Sequence, residues 1–246
     1  MKLANKKILI VGASSDLASS LRDELYGSNA IIGFHYNSNK DALSKYEEGH
    51  RIKKFHKKLN CSEACYELID EFVGWAEGID CLVQLSGDIA EPVHWKNLTK
   101  EQWQHDLSIN LTMPFFLTQR AVRHMQKDGG RIILTSTASA AHGGGTTSLA
   151  YGIAKAGIEC MIKGLARDCA KHNILVNAIA PGFIMTKFHT EKMKRTPKQL
   201  KERAELIPLK RAGTTREIAG VILFLLSEAA SYVTGQVITV SGGDWL

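Results

Sequence analysis

Tyr151 and Lys155 stand four residues apart in Ala150-Tyr-Gly-Ile-Ala-Lys-Ala-Gly157 and carry the strongest chemical signal in the chain. On a helix that spacing projects both side chains from one face. An ammonium beside a phenol favours the phenolate and lowers a pKa ordinarily near ~10. A phenol tuned in this way donates or accepts a proton near neutral pH. A Tyr-x-x-x-Lys pair is common by itself, and a solvated surface pair is its ordinary reading. Context has to decide between the two. Hydroxyls precede the pair in Arg131-Ile-Ile-Leu-Thr-Ser-Thr-Ala-Ser139.

A second group sits near the N-terminus. The apolar run Lys-Lys-Ile-Leu-Ile-Val ends in Gly12-Ala-Ser14-Ser15-Asp16-Leu17-Ala18. A glycine turn between a first strand and a first helix is where an α/β fold binds a dinucleotide, because backbone N–H groups and the helix N-terminus meet the pyrophosphate there. Only Gly12 of the expected glycines is present, so a plain turn capped by Ser14 or Ser15 competes. The next apolar run ends in Tyr36-Asn37-Ser38-Asn39-Lys40, with no carboxylate before Asp41. A carboxylate there would bind the ribose 2′-hydroxyl of NAD. Neutral and basic groups suit a 2′-phosphate better, so NADP(H) is favoured over NAD(H).

The elements that must position these groups are legible as alternating runs. Strand-length apolar runs fall at Lys7 to Val11, Ala30 to Phe34, Cys81 to Leu85, Arg131 to Thr135, Leu175 to Ala180 and Val237 to Val240. Helix-like stretches separate them: 16–26, 62–75, 100–127, 150–171 and 216–226. Short Ile- and Val-rich runs between helices argue for doubly buried parallel strands. The expected fold is α/β: a single Rossmann-like doubly wound parallel sheet of about seven strands, with helices on both faces. No repeat, low-complexity tract or linker divides residues 1–246, so one dinucleotide-binding and catalytic domain is expected. The stretch 187–209 reads as long and irregular, which in a compact domain marks a functional segment such as a substrate lid.

Bulk properties exclude other classes. The composition, 44% hydrophobic and 23% charged, is that of an ordinary globular protein. The net charge of +6 is interspersed with acidic residues rather than gathered into basic runs, so nucleic acid is not an expected partner. Five cysteines without a C-x-x-C argue against a disulfide framework or zinc site, and no metal is expected. No stretch approaches the ~20 apolar residues of a membrane helix, and the N-terminus lacks a signal-peptide core. A cytoplasmic location with no membrane partner is the expectation.

Taken together, these motifs resemble the short-chain dehydrogenase/reductase family. The resemblance rests on Arg131 to Ser139, Tyr151-x-x-x-Lys155, Val176-Asn-Ala-Ile-Ala-Pro-Gly-Phe-Ile-Met-Thr186, Arg211-Ala-Gly-Thr-Thr-Arg-Glu-Ile-Ala and Ser231-Tyr-Val-Thr-Gly-Gln-Val-Ile-Thr-Val-Ser-Gly-Gly243. It covers essentially the whole chain and is closest to the short single-domain subgroup that includes 3-oxoacyl-carrier-protein reductases. It implies an NAD(P)-dependent enzyme interconverting a carbonyl and an alcohol. Tyr151 would be the general acid in reduction. Lys155 would lower its pKa and hold the nicotinamide ribose. Asn110 would support a water-linked proton relay. Thr137 would bind the substrate carbonyl, with Ser136 and Ser139 as rivals. Pro181, Gly182, Ile184 and Thr186 would lie along the nicotinamide. Gly12, Ser14, Ser15, Asp16, Leu17, Tyr36, Asn37, Ser38, Asn60, Ser86 and Gly87 complete the expected cofactor cradle, together with Tyr151 and Lys155. A homodimer or homotetramer is implied, through helices at 100–127 and 150–171 or through the last helix and strand.

Departures from the family pattern cluster on the cofactor side. Asp16 and Ala18 replace turn glycines, Gln84-Leu85-Ser86-Gly87 replaces Asn-Asn-Ala-Gly, Asn60 replaces an aspartate, and Ser241 replaces another. A carboxylate at Asp16 near a pyrophosphate has to point away. From 187 to 207 seven Lys/Arg oppose three Glu. That basic lid favours an anionic small-molecule substrate: an acyl thioester on a carrier protein, a nucleotide sugar or an acidic sugar. The alternative is an exposed amphipathic helix with solvated lysines. Three functions therefore compete: a 3-oxoacyl-type reductase, a sugar or polyol dehydrogenase, and a non-catalytic binding or regulatory protein with the same fold.

Overall fold

A computed structural model describes residues 3–244 of the chain. Its centre is one sheet of seven parallel strands: β1 (Lys7–Val11), β2 (Ile31–Tyr36), β3 (Ile52–His56), β4 (Cys81–Gln84), β5 (Gly130–Thr135), β6 (Ile174–Pro181) and β7 (Val237–Val240). Their spatial order is β3-β2-β1-β4-β5-β6-β7. The helices are α1 (Ser19–Tyr26), α2 (Ser62–Ala76), α3 (Lys100–Leu107), α4 (Met113–Met125), α5 (Leu149–Cys169), α6 (Pro197–Leu206) and α7 (Thr215–Leu226).

Alternation along the strands builds two cores. Ile8 and Ile10 of β1 join Leu21 and Leu25 of α1 and Ile218 and Ile222 of α7 on one face. Leu9 and Val11 join Phe72 of α2, Leu117 of α4 and Ile158 and Ile162 of α5 on the other. Both sets are fully buried. Each such side chain contributes roughly 1.5–3 kcal/mol on leaving water, and the sheet is thereby held from both sides.

Three sequence expectations need correction. Strand β3 escaped the search for apolar runs because Lys53 and Lys54 interrupt Ile52 and Phe55. It is an edge strand, paired only to β2, and so tolerates half-exposed lysines. The segment 100–127 is not one helix: a π-helical turn, Ser108–Thr112, separates α3 from α4. The stretch 187–209 is also more ordered than expected. It contains a π-helical turn at Phe188–Lys192 and then α6, whose capping box pairs Thr196 with Gln199 and places Pro197 in the first turn. Thr-Pro-Lys-Gln carries that start signal in the sequence itself.

Candidate active site

The strand order reverses at β1, with β2 on one side and β4 on the other. In open α/β sheets ligands enter the crevice beyond the strand C-termini at such a point. A cleft of about 580 Å³ opens there, lined by Ser14 to Leu17, Ser86, Gly87, Thr137, Tyr151, Lys155, Pro181, Gly182, Ile184 and Thr186 among others.

Tyr151 and Lys155 lie on the first turns of α5, and both line the cleft. The Lys155 ammonium nitrogen is 5.6 Å from the Tyr151 ring centre. Lys155 is fully buried, and Nζ donates to the Thr135 carbonyl at 2.8 Å. Burial pushes the Lys155 pKa down to about 7. Burial, and then the Asp106 carboxylate, push Tyr151 up to about 12. The expected direction for the phenol is therefore reversed. A low-dielectric site disfavours both charges, and a lysine near neutrality offers little charge to stabilise a phenolate. The neutral phenol is a proton donor, which suits a general acid. Gly152 follows Tyr151 for a packing reason. A Cβ there would stand 2.5 Å from the Gly143 carbonyl oxygen. Glycine lets the 143–145 loop rest on α5.

The hydroxyl candidates separate clearly. Ser136 also borders the cleft, but its Oγ is buried and committed to Glu159 Oε1, to which it donates at 2.6 Å. Thr137 Oγ1 and Ser139 Oγ lie 3.2 Å apart, and both residues line the cleft. Asn110 is buried in the π-helical turn. Its Nδ2 donates to the carbonyls of Asp88 (2.6 Å) and Asp106 (2.9 Å), and its Oδ1 accepts from the Asp88 N–H (3.3 Å). Asn110 thus clamps the loop after β4 beneath the cleft. A Cβ on Gly87 would lie 3.0 Å from Asn110 Oδ1 and 3.5 Å from Lys155 Nζ.

The glycine turn fits a nucleotide. Gly12 has φ +78°, and a Cβ there would stand 2.5 Å from the Ser86 nitrogen, so only glycine closes this turn. Ser15 Oγ is buried without a hydrogen-bond partner at the cleft wall. An orphaned donor of this kind suits a ligand acceptor. Asp16 does point away from the turn: its Oδ2 accepts the Lys187 N–H at 2.8 Å. The departure at Gln84 is also structured, since Nε2 donates to Ser86 Oγ (2.6 Å) and to the Ser86 carbonyl (2.9 Å).

Other expected cradle residues are not brought to the cleft wall. Tyr36 is buried and stacks on His56 at 5.0 Å. Asn37, Ser38 and Asn60 are exposed, and none of these four lines the cleft, whereas Asn39 does. Two supports were missed in the sequence. Buried His35 accepts the Gly12 N–H at Nδ1 (3.2 Å), with Nε2 2.9 Å from the Lys57 carbonyl. Buried Arg22 donates to the carbonyls of Ala13 and Ser15. Neither follows a local motif, because each acts across the fold.

A Rossmann-like sheet with a tyrosine beside a buried lysine at its reversal crevice defines a nucleotide-dependent carbonyl/alcohol oxidoreductase. Comparison with known proteins agrees. The family model described as enoyl-(acyl carrier protein) reductase matches residues 12–244. The 3-oxoacyl-[acyl-carrier-protein] reductase FabG of Thermotoga maritima is 36% identical, with 99% of each chain covered. A 2-dehydro-3-deoxy-D-gluconate 5-dehydrogenase of Bacillus subtilis is 32% identical over 99% of this chain and 96% of its own. A putative short-chain alcohol dehydrogenase from Sinorhizobium meliloti superposes with a TM-score of 0.88 at 28% identity, covering 98% of this chain and 97% of its own. The chain belongs to the short-chain dehydrogenases/reductases and is an NAD(P)-dependent oxidoreductase of the 3-oxoacyl-reductase-like kind.

Proposed function

We propose that the enzyme uses NADP(H) in preference to NAD(H) and reduces a small carbonyl compound with Tyr151 as proton donor. The observation that carries this reading is Tyr151, beside the buried Lys155, facing a cleft that also presents the Thr137 and Ser139 hydroxyls. The nicotinamide, when bound, supplies the hydride. The chain supplies the rest. Thr137, with Ser139 beside it, orients the substrate carbonyl by donating a hydroxyl hydrogen. Tyr151 delivers its phenolic proton to the carbonyl oxygen. Lys155 borders the phenol and holds the ribose hydroxyls, and Asn110 fixes the Gly87–Asp88 backbone that forms the floor. Ser14, Ser15 and Leu17 would hold the pyrophosphate through the glycine turn, and Pro181, Gly182, Ile184 and Thr186 would flank the nicotinamide.

The NADP(H) preference draws support from the end of β2. Asn37, Ser38, Asn39 and Lys40 are exposed there, and no carboxylate stands among them to bind a bare 2′-hydroxyl. The segment 187–209 acts in this reading as the substrate lid. A non-catalytic role gains nothing from Asp16, since its carboxylate is engaged by Lys187 rather than aimed at the turn.

Fluorescence titration with NADPH and NADH tests the nucleotide, and Tyr151→Phe tests the chemistry. Tighter NADPH binding is expected. The variant should keep its cofactor affinity and melting temperature yet lose about 10²- to 10⁴-fold in kcat. Binding of neither nucleotide, or full turnover by the variant, would overturn the assignment.

A further inference from the structure

Most cations of the lid have a place that does not concern a ligand. Lys192 is paired with Asp88 at 2.9 Å, Lys194 with Glu91 at 3.4 Å and Lys198 with Glu202 at 3.9 Å. Lys201 is exposed on α6. Arg195 differs. It is half-buried, it lines the cleft, and no carboxylate lies within ion-pair distance of it among the described residues. Burial, and then the neighbouring Arg203, lower its pKa from the usual guanidinium value. Arg203 also lines the cleft, paired with buried Asp244.

These two guanidiniums meet at a specific end of the cleft. The Arg195 backbone N–H donates to the His189 carbonyl at 3.0 Å. The His189 ring packs against Phe183 at 4.7 Å, and the Arg203 guanidinium lies 5.9 Å over the same phenyl ring. His189 Nδ1 is buried without a hydrogen-bond partner. Burial, and then the neighbouring Arg195 and Arg203, push its pKa down to about 4, so near neutral pH the ring is uncharged and Nδ1 can take part in hydrogen bonding. The Phe188 ring joins this end to the catalytic phenol, 6.3 Å from Tyr151 and 5.5 Å from His189. Arg195 thus faces the cleft beside the like charge of Arg203, with no carboxylate of its own within ion-pair distance among the described residues. A bound anion would pair with it through charge-assisted hydrogen bonds.

We propose that Arg195, supported by Arg203 and the His189 ring, forms a subsite for a carboxylate carried by the substrate itself, so that the substrate is a short oxo acid or its hydroxy-acid counterpart. The proposal rests on the oxidoreductase reading above and names its substrate class. The carbonyl lies by Tyr151, a short carbon chain passes the Phe188 ring, and the carboxylate reaches Arg195. A neutral ketone leaves the arginine unpaired.

Calorimetric titration of the NADPH-bound enzyme with oxo carboxylates of graded chain length, and with their methyl esters, tests it. Wild type should bind at least one acid more tightly than its ester. Arg195→Gln should weaken that acid by about ten- to a hundredfold, as loss of a charge-assisted hydrogen bond implies. Ester binding, NADPH affinity and melting temperature should not move. Lys198→Gln, on the same lid but solvated, should change nothing. Equal binding of acid and ester, equal loss of both in Arg195→Gln, absence of acid binding in wild type, or a fall in NADPH affinity would each overturn the subsite. If NADPH does not bind at all, the oxidoreductase reading fails instead. The acid-against-ester comparison is then made on the nucleotide-free protein and still decides the subsite by the same outcomes.

Discussion

Lys155 is the residue at which burial and chemistry pull hardest against each other. Its ammonium is 1% exposed and holds a pKa of about 7, against an ordinary lysine value of 10.5. Between those values the unfolded chain binds a proton that the folded chain has released. Stability contributed through this group therefore rises with pH across about 7 to 10.5, at roughly 1.4 kcal/mol per pH unit. Lys155→Met removes the group. The stability of the variant relative to wild type, followed by melting temperature in the nucleotide-free protein, should fall steadily from pH 7 to pH 10. A difference independent of pH would show that Lys155 is not held near neutrality. Activity of the variant is expected to be lost at every pH, because methionine has no donor to replace the Lys155 nitrogen beside Tyr151.

At the scale of elements, the glycine turn is held by neighbours rather than by its own residues. Gly12 supplies the conformation, but its N–H is received by His35 on β2, and Arg22 on α1 gathers the carbonyls of Ala13 and Ser15. His35 is 3% exposed, and burial pushes its pKa down to about 4. The unfolded chain takes up a proton first, near 6.5, so stability is present above that pH and is lost as the pH falls toward 4. Melting temperature should drop across this window in wild type. His35→Leu should be less stable by about 1–3 kcal/mol at pH 8, where Gly12 and Lys57 lose their partner. It should also show a shallower decline in acid, although His189 continues to contribute one. A decline as steep as that of wild type would remove His35 from this account.

At the scale of the whole molecule, the segment 187–209 is tied across the cleft at separate points. The Lys187 N–H meets Asp16 of the first turn, and Lys192 and Lys194 meet Asp88 and Glu91 of the loop after β4. Surface pairs of this kind contribute little each, which accords with the lid role proposed for this segment. No helix among the described residues is long and apolar enough to cross a membrane. The exposed large apolar side chains among the described residues include Phe115 on α4 and Ile153 on α5, and Phe224 on α7 and the fully exposed Tyr232 beyond it. We propose that the protein is a homodimer or homotetramer through one or both of these pairs of residues. Light scattering after size exclusion should give two or four chain masses, and Phe115→Glu with Ile153→Lys should reduce the assembly. A monomeric wild type would overturn this reading.

The sequence alone determined what depends on local pattern. β1 and β7 fall where the apolar runs end, and α5 is announced by the same Tyr-x-x-x-Lys spacing that carries the chemistry, because period and end signals are properties of neighbours in the chain. β3 was hidden since an edge strand can carry lysines that no apolar run predicts. Tertiary structure alone decided everything that depends on dielectric and on distant partners. It committed the Ser136 hydroxyl to Glu159. It sent Asp16 to Lys187, 171 positions along the chain. It left Arg195 without a carboxylate among the described residues while pairing Lys192, Lys194 and Lys198, and it reversed the expected direction of the Tyr151 pKa. A residue's type fixes which bonds it can make, but burial and the groups brought against it by the fold fix which of them it does make.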